Sequence, residues 1–276
     1  ISKKKIYKIL YSSGTTSNNK SKIYLDKKNS IDQIKVLSHL SNSYIGNKRL
    51  PMLVIDHDLI KNKNNPFSAR MAAVIGFRIF SSNITFALHE DETHNEEVLK
   101  SFFSKYGNQT FLIFGFTSLI WNFFKKYNNN ISKFTKNAIL IHGGGWKKLA
   151  SLNISNYKFK SFLKKNYKIS KIINYYGMIE QTGSIFFECE YGYFHTSIYS
   201  EIIIRNTLLE DVGLKEEGIV QLLSLIPSSY PGNSILTEDL GIIHGIDNCK
   251  CKRLGKIFTI SGRVKNTETR GCSDTN

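Results

Sequence analysis

The sequence lacks what a disulfide-built or exported domain needs. Four cysteines in 276 residues make no disulfide framework, and no signal-peptide pattern stands at its head. The first residue is Ile1 rather than Met, so the chain is expected to start inside a longer one. Long apolar runs are missing too. The longest, Phe111–Phe124, is too short for a bilayer and is interrupted by Gly115, Thr117, Ser118 and Asn122. These absences predict a reduced, cytoplasmic protein with no membrane span. Acidic residues are in deficit, 22 against 38 Lys and Arg, which leaves a net charge of +16. The lysines are nonetheless scattered from Lys3 to Lys265 among Asn and Ile, whereas a nucleic-acid surface needs them clustered on one face. The densest stretch, Lys158–Lys171, places Phe159, Phe162, Leu163 and Tyr167 at helical spacing between its lysines, the pattern of a solvated helix face. No nucleic-acid partner is expected.

What is present is ordinary for a globular chain. Hydrophobic residues at 41 % and charged residues at 22 % exclude wholesale disorder, and the length allows one large domain or two modest ones. Strand-like and helical patterns alternate through the first two thirds. Strands are expected at Ile6–Tyr11, Pro51–Asp56, Asn83–Leu88, Thr110–Phe114 and Ala138–His142. Helices are expected at Ile31–Tyr44, Ser68–Ile79, Glu96–Tyr106 and Thr117–Tyr127. Such alternation predicts parallel sheets flanked by helices. After Gly183 shorter strands predict a more antiparallel, β-rich lobe: Ser184–Cys189, Ser200–Arg205, Gly218–Leu225 and Lys256–Ile260.

Five segments carry chemistry. Tyr11–Lys20 (YSSGTTSNNK) is a hydroxyl-rich glycine turn closed by lysine, able to offer backbone N–H groups, hydroxyls and a positive charge to phosphate. It is no Walker loop, and alone it equals an ordinary surface turn. His142–Lys147 (HGGGWK) follows a strand, and its glycines allow close backbone approach or a simple turn. Asn174–Gln181 (NYYGMIEQ) offers two aromatic rings for a base and a carboxylate suited to Mg²⁺; the plain alternative puts Tyr175 and Tyr176 in the core. Thr237–Gly241 (TEDLG) places Asp239 at a turn, where it could grip ribose hydroxyls, and Ser261–Arg263 ends a strand with Arg263. Elsewhere, Cys249-Lys250-Cys251 with His244 and Cys189 is a weak zinc pattern, because no second CxxC pair stands at finger spacing.

Taken in order, SGTT…K, GGG, YYGMIEQ, TEDLG and GR resemble the motif series of the adenylate-forming superfamily of acyl-CoA synthetases, adenylation domains and firefly-type luciferase. HGGGWK and the terminal RGCSDT (Arg270–Thr275) are similar to those of the LuxE acyl-protein synthetases. The resemblance implies an α/β adenylate-forming large-domain fold over residues 1–182, a smaller β-rich lobe over 183–262, and a tail over 263–276 in place of the usual small C-terminal domain. It implies that Ser12, Ser13, Gly14, Thr15, Thr16 and Lys20 cover the ATP phosphates. Gly143, Gly144 and Gly145 would lie along adenine with Tyr175 or Tyr176 and Gly177, and Glu180 would hold Mg²⁺. Asp239 would bind ribose, Arg263 ribose or phosphate, Lys265 would mark the hinge, and Cys272 would accept the acyl group. The implied cofactors are ATP and Mg²⁺, and the implied substrate is a carboxylic, fatty-type acid. An acyl-thioester reductase and an acyl-transferase are the partners it allows. Ser17, where the superfamily has glycine, keeps open the alternative of a nucleotide-binding protein without turnover.

Overall fold

A computed structural model of the chain describes residues 1–11, 22–58, 60, 69–127, 131–144, 146, 149, 152 and 154–264. Ser12, Ser13, Gly14, Thr15, Thr16, Ser17, Lys20, Gly145, Lys265 and Cys272 lie outside the described residues. Two compact units are present. Among the described residues, one is Ile45–Asn174; the other joins Ile1–Tyr44 to the chain from Tyr175 to Val264.

The joined unit opens with the antiparallel pair β1 (Lys8–Tyr11) and β2 (Lys22–Leu25), followed by helix α1 (Lys27–Ile45). The Asp26 carboxylate accepts from the Asn29 N–H at 2.7 Å, satisfying one of the helix's orphan donors. Asn29 itself is fully buried, and its amide donates to the Ile226 carbonyl at 2.9 Å while its oxygen accepts from the Ser228 N–H at 3.1 Å. A buried amide satisfied from both ends fixes the helix against that later segment.

The 45–174 unit alternates strand and helix: β3 (Leu50–Val54), α2 (Ala69–Phe77), β4 (Ser81–Phe86), α3 (Glu96–Tyr106), β5 (Phe111–Phe116), α4 (Thr117–Lys126), the short α5 (Ser132–Thr135), β6 (Ala138–Gly143) and α6 (Asn156–Tyr167). A seventh strand, β7 (Lys171–Gly177), then leaves the unit. The sheet order is β4-β3-β5-β6-β7, with β4, β3, β5 and β6 parallel. Every residue of β5 and β6 is buried, as expected of parallel strands covered on both faces. Asn95 caps α3 by accepting from the Val98 N–H, and Glu96 and Glu97 complement the helix N-terminus. The core is aromatic, with Phe102, Phe103, Phe111, Phe123, Phe124 and Phe159 packed together. At the end of β3, buried Asp56 is held by Arg70, whose Nε donates to Oδ2 at 3.1 Å and whose Nη2 bonds Oδ1. The pairing keeps either charge from being buried alone.

In the other unit the last residues of β7 pair antiparallel with β8 (Ile185–Phe187). Strands β9 (Phe194–His195), β10 (Ser200–Arg205), β11 (Glu217–Ser224), β12 (Ser234–Ile246) and β13 (Lys256–Arg263) follow, in an antiparallel sheet of order β10-β11-β12-β13-β9. Burial alternates strictly along β10 and β11, which seats Ile202, Ile204, Val220 and Leu222 beside Phe186, Phe194, Ile243 and Phe258. The change of texture after Gly183 is therefore a real change of sheet type. One expectation is corrected: Thr237–Gly241 is not a turn but the middle of β12. Glu238, Asp239 and Gly241 break the apolar alternation there, and a register shift beside Gly241 shows how the strand absorbs them. No helix among the described residues is long and apolar enough to cross a membrane.

Candidate functional site

Successive strand residues face opposite ways, so β7 sends Tyr175 and Tyr176 to different faces of the sheet. Tyr176 lies opposite Phe186 in β8, and its ring sits among Phe186, Phe194 and Phe258 at centroid separations of 6.2, 6.1 and 6.4 Å. Only its hydroxyl reaches a polar group, donating to Asp239 Oδ2 at 2.7 Å. Burial first, and then the Asp239 carboxylate, hold the phenol well above its ordinary pKa, so it stays a neutral donor.

Asp239 is fixed from three directions. It lies directly opposite Arg263 in the β12–β13 ladder, and Arg263 Nε donates to its Oδ1 at 3.0 Å. Arg263 Nη1 also reaches Glu238 Oε2 at 3.3 Å. The Thr237 hydroxyl donates to the Val220 carbonyl at 2.8 Å and accepts from the Asp239 N–H at 3.0 Å, which sets the strand locally. Each Asp239 oxygen thus holds one donor and keeps acceptor capacity for another. A carboxylate so oriented suits a vicinal diol. Its charge-assisted bond to Arg263 keeps it in place before any ligand arrives.

Glu180 stands in the 3₁₀ turn Ile179–Gln181 that follows β7. Burial pushes its carboxyl pKa up, opposed by the Arg263 charge. A half-buried carboxylate with that preference fits a divalent cation, which would restore the charged form. The turn is anchored by Gln181, whose amide donates to the Leu222 carbonyl at 3.1 Å and the Gly232 carbonyl at 2.8 Å. Beside it Tyr230, raised to about 12 by burial, sits within the field of Glu180. Thr237, Gln181 and Tyr230 carry no role in the sequence reading. Thr237 stands inside TEDLG and Gln181 closes NYYGMIEQ, while Tyr230 gives no local signal.

The glycine turn belongs to the 45–174 unit. Gly143 ends β6 opposite Phe116, and Gly144 has φ +58°, where a Cβ would meet the Phe116 ring at 3.0 Å. Both features favour glycine at this one position. His142 is fully buried, with Nδ1 2.9 Å from the Thr117 hydroxyl and its ring against Phe159 and Trp146. Burial, reinforced by the Lys160 charge, holds it well below its ordinary pKa, so it packs as a neutral ring.

The structure therefore brings Tyr176, Asp239 and Arg263 into one hydrogen-bonded group, with Glu180 close enough to feel Arg263. Tyr175 and Gly177 lie on the same strand end. Gly143 and Gly144 stand in the other unit.

Comparison with known proteins gives a concordant result. A family model described as "Acyl-protein synthetase, LuxE" matches residues 1–276. No curated protein matches the chain. Among solved structures, the chain is similar to ATP-bound MatB from Rhodopseudomonas palustris, with TM-score 0.60 and 12 % identity over 92 % of this chain and 47 % of that one. It is similar to a 2-hydroxyisobutyryl-CoA ligase in complex with 2-HIB-AMP and CoA, with TM-score 0.72 and 12 % identity over 96 % and 59 %. It is also similar to a luciferase-like enzyme from the mealworm Zophobas morio, with TM-score 0.59 and 15 % identity over 94 % and 57 %. The fold is that of the adenylate-forming enzymes, and the chain spans about half the length of these structures.

Proposed function

We propose that this chain, which belongs to the LuxE acyl-protein synthetase family, uses ATP to activate a fatty-type carboxylic acid and carries the acyl group on Cys272 as a thioester. The observation that carries the reading is the Tyr176–Asp239–Arg263 group. Its carboxylate is oriented by a neutral phenol and a guanidinium and keeps acceptor sites for a ribose diol.

In the first half-reaction a carboxylate oxygen attacks the α-phosphorus of ATP. The bond to the β-phosphate oxygen breaks, pyrophosphate leaves with that electron pair, and acyl-adenylate forms. The acid is already ionised, so no general base is needed, and the work is positioning and charge neutralisation. Ser12, Ser13, Gly14, Thr15, Thr16 and Lys20 would face the phosphates, and Gly143, Gly144, Gly145, Tyr175 and Gly177 the adenine. Asp239 would hold the ribose and Arg263 the ribose or phosphate. Mg²⁺, held by Glu180, would supply positive charge against the phosphates. In the second half-reaction the Cys272 thiolate attacks the acyl carbonyl carbon and the bond to AMP breaks. A cytoplasmic setting, and a reductase or acyl-transferase that takes over the thioester, belong to the same proposal.

The test is pyrophosphate release from ATP and Mg²⁺ across a panel of carboxylic acids of increasing chain length. Release should require the acid and fall at least tenfold in Asp239→Ala with the fold intact. No acid-dependent release with any member of the panel would overturn the reading.

A further inference from the structure

Three of the chain's four cysteines meet at one point of the β-rich unit, far in sequence from Cys272. Cys189 follows β8 and opens a tight turn, in which its N–H donates to the Tyr193 carbonyl at 2.8 Å and the Gly192 N–H donates back to the Cys189 carbonyl at 3.0 Å. Gly192 has φ +85°, so a side chain there would strain the turn. That turn ends in β9, where His195 is locked opposite Ile257 of β13. The second turn joins β12 to β13. Cys249 and Cys251 stand at its tip, closed by the Lys252 N–H on the Cys249 carbonyl at 2.9 Å.

The two tips present four donor atoms to one another. Cys189 Sγ and Cys249 Sγ are 3.8 Å apart, Cys251 Sγ and His195 Nε2 are 3.3 Å apart, and all four ligand atoms lie within 4.8 Å of one another. Zinc–sulfur and zinc–nitrogen bonds of about 2.3 and 2.0 Å put tetrahedral edges at about 3.8 Å between sulfurs and about 3.5 Å between sulfur and nitrogen. A disulfide needs sulfurs at about 2.05 Å, roughly half the separation found. Cys189, Cys249 and His195 are buried and Cys251 is half-buried, so little room is left for a fifth, exchangeable ligand.

We infer that Cys189, His195, Cys249 and Cys251 form a structural Zn²⁺ site that clamps the β8–β9 turn to the β12–β13 turn. Three thiolates and one imidazole in a closed tetrahedron suit zinc and leave no position for catalysis. The sequence pattern pointed to His244 in place of His195. His244 is committed elsewhere, with Nε2 2.8 Å from the Thr259 hydroxyl. The true spacing is Cys-x5-His with Cys-x-Cys, and the intervening β9 turn hid it. Around the site, Arg253 donates to Glu190 at 2.9 Å and lies over the Tyr44 ring at 4.4 Å, tying both tips to neighbouring structure. The clamp closes a loop of about sixty residues, so metal binding should add directly to folding stability.

The experiment is metal analysis of the full chain purified under reducing conditions, followed by replacement with Co²⁺. One zinc per chain is expected, with cobalt giving the intense visible bands of a tetrahedral site and thiolate-to-metal charge transfer. His195→Gln and Cys251→Ser should lose the metal, while His244→Gln should keep it. Should the ligand variants fail to fold, titration of the wild type with a mercurial reagent replaces them, and zinc release should track modification of three thiols. Folded, reduced wild type that holds no zinc and develops no cobalt bands would overturn the site. So would full zinc content in His195→Gln, or a Cys189–Cys249 disulfide in the protein as isolated.

Discussion

Tyr176 and Asp239 are sixty-three positions apart and joined by one hydrogen bond. The partly buried phenol ring packs against Phe186, Phe194 and Phe258, so Tyr176→Phe should leave the fold intact and remove only the donor. A hydrogen bond to a charged group is worth about 1.5–3 kcal/mol, so acid-dependent pyrophosphate release should fall by roughly tenfold or more. Asp239 would remain held by Arg263, and the same lost bond should lower the melting temperature by several degrees without abolishing the fold. Unchanged release in Tyr176→Phe would mean that the phenol does not orient this carboxylate for function. The sequence made the members of this group visible but not their bonding. Asp239 and Arg263 were readable as separate motif residues, yet their direct opposition depends on the β12–β13 register, which bulges at Leu240 and Gly241 set. The two tyrosines were interchangeable in the sequence, and only the alternation of β7 sets Tyr176 against the aromatic cluster of the β-rich unit.

Among the elements, β6 and α6 carry the clearest consequence. His142 ends the buried strand with its ring among Phe159 and Trp146, and burial holds its pKa far below the ordinary value. A depressed histidine pKa means the unfolded chain takes up a proton that the folded chain refuses. Stability from this group is fully present above the ordinary value of about 6.5 and declines as the pH falls below it, by up to about 1.4 kcal/mol per pH unit. His94 and His244 are shifted the same way by burial and add to the slope. His142→Gln should therefore flatten the fall of melting temperature between neutral and mildly acid pH. An equal fall in variant and parent would contradict the assignment. Elements with a clean signal were legible. Glu96–Tyr106, with its Asn95 cap and acidic first turn, and Ser200–Arg205, with its alternating isoleucines, have the bounds the pattern predicts. Strand β12 was not, because acidic residues and glycines occupy positions that a propensity argument assigns to turns.

At the level of the molecule, two units of different construction come from one chain: a parallel sheet wrapped in helices, and an antiparallel sheet. The alternation of strand and helix followed by short strands foretold both. Their boundaries were less legible, because the first strands and α1 belong with the β-rich unit, a pairing made by contacts such as Asn29 with Ile226. Family membership and fold agree with the motif order, and the proposed chemical cycle ends on one thiol. That cycle is tested most directly by incubating the protein with ATP, Mg²⁺ and a labelled fatty acid and separating the products on a denaturing gel. The account predicts label on the protein that neutral hydroxylamine removes and that Cys272→Ser abolishes, while pyrophosphate release continues. Label that persists in Cys272→Ser, or acid-dependent pyrophosphate release with no label on the wild type, would contradict it.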